Sequence, residues 1–141
     1  MTADLGEWEG DQAGAPEPVV VDVAAAAPNQ LFYANVAEFV ADFLAPMYSR
    51  PAKTWCPQWW RHAEGIYRLE AVWRSWEYLR LEPNTGASVW LLNHADPHMA
   101  VLLSGDGPFK GCSADGGHKA RAKALPVTLP PHGMFGDERA L

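Results

Sequence analysis

Between residues 31 and 112 the apolar positions recur in patterns; before and after that span they do not. The first pattern is Val36, Phe39, Val40, Phe43, Leu44 and Met47, spaced by steps that keep them on one face of an α-helix. Asn35 stands where a cap belongs, and Glu38 follows three residues later, as in a capping box. Pro46 and the Ser-Arg-Pro that follows are stop signals, so a helix is predicted over Val36 to about Ala45.

The second pattern is Trp59, His62, Ile66, Leu69, Trp73 and Trp76, a narrow stripe that Trp60, Ala63, Tyr67 and Val72 widen. Pro57 suits a first helical turn, and Pro83 ends the run near Leu81. Glu64 with Arg68, and Glu70 with Arg74, sit four residues apart in the favourable order. One rod of roughly 36 Å is predicted, at 1.5 Å per residue. Gly65 weakens it by on the order of 1 kcal/mol against alanine. The last two runs, "ASVWLLN" and "HMAVLL", are short and apolar and are predicted as strands joined by a hairpin loop, Asn93–Pro97.

These elements predict an α+β fold: two helices, one long and aromatic-rich, packed on a small antiparallel β-hairpin. An isolated hairpin is marginal in water, so the tryptophan stripe is its expected support. The domain is expected over residues 31–112. Residues 1–30 are predicted to be a disordered acidic tail, and residues 113–141 a flexible proline-rich one. Within the latter, "LPVTLPP" at Leu125–Pro131 has the composition of an extended ligand for a groove.

A chain of 141 residues has room for one domain. Its net charge of −6 is divided as −7 over residues 1–52, +2 over 53–123 and −1 over the remainder. A +2 middle lacks the basic footprint of a typical DNA-binding domain. Two cysteines are too few for a disulfide scaffold. The sequence shows neither a signal peptide nor a membrane-spanning run, so a cytoplasmic protein with reduced thiols and no membrane insertion is expected.

Three constellations carry chemistry. Cys56, His62, His98 and Cys112 make the best zinc set, since zinc favours four Cys or His ligands. The bland alternative is a buried cysteine and a hydrogen-bonded core histidine. His94, Asp96 and His98 alternate, and on a strand they would face one way and hold a divalent ion. Pro97 argues for a loop there, with Asp96 shaping the turn. Trp55, Trp60, Arg61, Arg68 and Trp90 are the candidate anchors of a protein interface. No catalytic residue is assigned, because no nucleophile elbow, phosphate loop or zinc-protease signature is present.

"KTWCPQWWRHAEGIYRLEAVWRSWEYLR", "HADPHM" and "GPFKGC" together resemble an uncharacterised actinobacterial domain of unknown function found on plasmids and other mobile elements. The likeness runs from Lys53 to Cys112. It implies a small soluble protein of a mobile element and carries over no catalytic residue. The expectation is therefore a non-enzymatic accessory module that binds a protein partner, in plasmid transfer or replication. The alternatives are a zinc-stabilised nucleic-acid-associated protein and a small metal-dependent enzyme using the His94–His98 segment. The sequence does not define the oligomeric state.

Overall fold

The computed structural model describes residues 30–51, 53–119 and 123–139. The acidic tail expected over residues 1–30 lies outside them save for Gln30. The first helix, α1, opens with the predicted Asn35 cap, but the return bond of Glu38 goes to Ala34, one residue before the cap. The Asn35 side chain accepts from the Glu38 N–H at 2.9 Å, and the Glu38 carboxylate accepts from the Ala34 N–H at 3.0 Å. The helix then runs through Val36–Phe39, a π-helical Val40–Leu44 and Ala45–Met47 without a break. Helix α2 is Ala63–Leu79. Helix α3 is Gly86–Trp90, a π-helical Leu91–Ala95 and Asp96–Leu102, again continuous.

The predicted β-hairpin is thus overturned. Residues 86–102 form one helix, and among the described residues the sole β pairing is an isolated bridge between Ser113 and Gly117. The reason lies in the prolines. A proline inside an α-helix lacks a donor and presses on the carbonyl four residues back. Here Pro46 and Pro97 each lie just past a π turn, in which the Ala45 N–H reaches the Val40 carbonyl and the Asp96 N–H reaches the Leu91 carbonyl. The wider turn relieves the proline, and the helix continues. Pro46 therefore does not stop α1, and "NHADP" is a helical turn rather than a loop.

The 36 Å rod is also shorter than predicted. Trp59–Arg61 is a separate 3₁₀ turn, and His62, with φ −113° and ψ 118°, is extended and separates it from α2. The break falls at His62, not at Gly65. Gly65 is instead a contact point. A Cβ there would lie 2.8 Å from the Phe109 ring and 3.0 Å from the Trp59 carbonyl oxygen. Alanine would favour the helix by about 1 kcal/mol. Yet Phe109 is fully buried, and overpacking costs about 1–3 kcal/mol. Gly65→Ala is expected to lower the urea midpoint despite the better helix former.

The tryptophan stripe makes the core only in part: Trp59, Leu69, Val72 and Trp73 are buried, whereas Ile66 and the flanking Trp60, Ala63 and Tyr67 are exposed. Leu69, Val72 and Trp73 of α2 are buried against Phe39 and Leu44 of α1 and Trp90, Met99 and Leu102 of α3. The Trp90 indole donates to the Val72 carbonyl at 3.0 Å, so its polar edge is satisfied. The Phe43 ring lies 5.9 Å from that of Trp90 and 5.1 Å from that of Trp76. Two polar ties fix the helices. The buried Glu77 carboxylate accepts the N–H groups of Phe32 and Tyr33 at 2.8 to 3.3 Å, pinning the chain where it enters α1. Tyr48 donates to Asp96 at 2.8 Å, joining the end of α1 to α3.

Candidate metal centre

Cys56 and Trp59 close one end of the core, and Phe109 and Cys112 close it from the other side of the sequence. Cys56 precedes the 3₁₀ turn, and the extended backbone at His62 turns the imidazole back towards it. Cys112 follows a short turn and opens another. In that second turn Ser113 and Gly117 exchange backbone hydrogen bonds at 2.9 and 3.3 Å, and the Ser113 hydroxyl accepts from the Gly116 N–H at 2.7 Å. Gly117 takes φ +72°, a left-handed conformation that glycine adopts without strain. The turn delivers His118 to the first three residues.

The donor atoms of Cys56, His62, Cys112 and His118 all lie within 4.8 Å of one another. His62 Nε2 is 3.1 Å from His118 Nδ1, Cys56 Sγ is 3.2 Å from His118 Nδ1, and Cys112 Sγ is 3.6 Å from His62 Nε2 and 3.9 Å from His118 Nδ1. A tetrahedron with Zn–S of about 2.3 Å and Zn–N of about 2.05 Å has edges of roughly 3.3–3.8 Å. These four separations bracket those edges, and the other two pairs lie within 4.8 Å.

The surroundings suit a neutral imidazole, and backbone groups reach both sulfurs. The Lys119 N–H donates to Cys112 Sγ at 3.3 Å, and the Gln58 backbone hydrogen-bonds Cys56. The Pro108 backbone, whose only hydrogen-bonding group is its carbonyl, pairs with the His62 ring. With Nε2 turned to the cluster, Nδ1 is the donor, an outer contact that fixes a ligand's tautomer. Burial, then the nearby His118 and Arg61, hold His62 below its usual range and so keep it neutral. Burial, then the hydrogen bond with Cys112, push the Cys56 thiol up in the absence of metal. A bound cation would reverse that direction.

Three of the four ligands expected from the sequence therefore meet, and His98 does not join them. His98 lies on α3 and faces Arg68, whose guanidinium is 3.0 Å from its Nδ1. Burial, then Arg68 and His94, hold it below its ordinary pKa. His118 takes the fourth place. Its signal was a shared spacing: Cys56 and His62, and Cys112 and His118, are both Cys-x5-His. The alternating triad also dissolves. On a helix His94 and His98 share a face, while Asp96 points away to Tyr48.

The interface anchors divide. Trp90 is 3% exposed and belongs to the core. Trp55 is half-buried edge-on against Phe109, and Arg68 is engaged by Glu64 at 2.7 Å. Trp60 is 56% exposed, and Arg61 beside it is exposed as well.

Fold and site together define a small helical domain pinned at one end by a Cys2His2 cluster. The chain belongs to the family described as a domain of unknown function, DUF4913, whose model matches residues 33–131. That match reaches past Cys112, through the turn that carries His118. No curated protein and no solved structure matches the chain. Among the described residues, no helix is long and apolar enough to cross a membrane.

Proposed function

We propose that this chain is a non-enzymatic binding module whose helical body is held together by one zinc ion, bound by Cys56, His62, Cys112 and His118. The convergence of four donor atoms within 4.8 Å carries this reading. Four protein ligands leave no open coordination position for a substrate, which is the mark of a structural rather than a catalytic zinc. The exposed Trp60 and Arg61, one step before a ligand, are the surface offered to a protein partner. The sequence resemblance adds the setting: a cytoplasmic accessory factor of an actinobacterial plasmid or other mobile element, in transfer or replication. A nucleic-acid partner is the second reading. Exposed cations Lys53, Arg61, Lys110 and Lys119 stand within three residues of the ligands and favour it.

The test is metal analysis of the full chain purified with zinc and without chelator. One zinc per chain is expected, and EDTA is expected to lower the melting temperature. A metal-free chain that melts at the same temperature with or without zinc ends the proposal.

A further inference from the structure

Cys56 and Cys112 are the chain's two cysteines, and the fold sets their sulfurs side by side. The two atoms lie within 4.8 Å of one another and share a hydrogen bond. Neither residue stands in a helix or strand: Cys56 lies just before the 3₁₀ turn, and Cys112 lies between two turns. The gap to an S–S bond of about 2.05 Å therefore closes by movement in loops, with no helix disturbed. The two are unequally placed. Cys56 is fully buried, whereas Cys112 is 3% exposed and is flanked by the turn over residues 113–119, where Ala114, Asp115, Gly116 and Lys119 face solvent. The Lys119 N–H reaches the Cys112 sulfur at 3.3 Å. An oxidant that enters as this turn lifts meets Cys112 first.

We propose that Cys56 and Cys112 close a reversible intrachain disulfide when the chain meets a hydroperoxide, and that closing it expels the zinc ion. This rests on the zinc reading above, because a bound cation keeps adjacent sulfurs as thiolates, and the thiolate is the form that attacks. The Cys112 thiolate attacks the terminal oxygen of the hydroperoxide. The O–O bond breaks, the sulfur is oxidised to a sulfenic acid, and the other oxygen takes up a proton and leaves as water or an alcohol. The Cys56 thiolate then attacks that sulfur; the S–S bond forms, the S–O bond breaks, and the departing hydroxide takes up a proton to become water. Two thiolates, one hydroperoxide and two protons are consumed. A disulfide supplies no anionic sulfur, and the two imidazoles of His62 and His118 leave a tetrahedral site half empty, so the ion is lost. Disulfides that form in reducing compartments are of this transient, sensing kind, and exchange with a dithiol reverses them.

The experiment uses the full chain loaded with zinc, its metal content measured first. Hydrogen peroxide is then added together with a coloured zinc chelator too weak to strip the reduced chain, and samples are digested without reductant for mass spectrometry. One zinc released per chain is expected, with a cross-link between the peptides carrying Cys56 and Cys112. Dithiothreitol followed by zinc is expected to restore both thiols and the ion. The parent chain alone gives the answer, so no variant has to fold. Cysteines that stay reduced with zinc retained, that run on to sulfinic or sulfonic acid, or that pair between chains overturn the proposal and leave the zinc reading standing. A chain that takes up no zinc before the oxidant is added fails the zinc reading itself, and the release of the ion with it.

Discussion

Cys112→Ser is expected to strip the zinc from the purified chain and to lower its stability by about 4 kcal/mol when free zinc stands a thousandfold above the parent's Kd. Cys112 is 3% exposed, and its sulfur receives the Lys119 N–H. Serine offers a weaker ligand in a site sized for sulfur, and the remaining three donors cannot complete a tetrahedron. Much of the binding free energy of a structural zinc is folding free energy, so losing the ion loses the fold's margin. In a domain of this size each 1 kcal/mol moves the melting temperature by roughly 4–8 °C. Cys56→Ser and His118→Ala are expected to behave alike, and the parent in EDTA to melt with them. His98→Gln separates this account from a general sensitivity to losing a polar core group, since it should keep its zinc. If the three ligand variants bind zinc and melt like the parent, these four residues are not the zinc site.

Phe109→Ala is expected to cost about 3–5 kcal/mol, the usual result of truncating a fully buried aromatic ring. The ring is fully buried and edge-on to Trp55 at 5.2 Å and to His62 at 5.0 Å, and the Cα of Gly65 comes close to it. It is therefore both the plug of the core's end and the wall behind a ligand. Truncation opens a cavity and frees the His62 ring, so zinc affinity should fall together with the urea midpoint. Trp60→Ala is the contrast: the side chain is more than half exposed, and an effect within about 0.5 kcal/mol is expected. A Phe109→Ala chain as stable as the parent would mean that the two ends of the domain do not depend on this ring.

Much of this architecture was legible in the sequence, and its failures have definite causes. The Asn35 cap and the buried Leu69, Val72 and Trp73 of α2 rest on local spacing, which tertiary contacts did not override, while Ile66 and Tyr67 of the same pattern face outward. The hairpin failed because a short apolar run does not distinguish a strand from a buried helix, and Pro97 tipped the balance. A π turn is invisible to a periodicity of 3.6, so Pro46 and Pro97 read as breaks where the structure carries the helix through. At the cluster, Cys56, His62 and Cys112 were singled out as residue types that zinc favours, and the structure brings their donor atoms together. His118 was not considered, because it fell within the stretch read as a tail. "SADGGH" after Cys112 looked like the start of a tail, whereas it is a tight turn whose glycines bring a ligand home.

The four residues of the proposed zinc site come as two Cys-x5-His pairs, one before α2 and one after α3, and the contact between Cys56 and His118 spans 62 positions. A clasp made this way can be undone from one side. Peeling back the few residues after Cys112 would free one pair while the three helices stay packed, so exchange of the ion with a chelator should be far faster than denaturation of the body. Amide protons from Ser113 to Lys119 would then report the clasp, and those of α2 the whole molecule, on separate clocks.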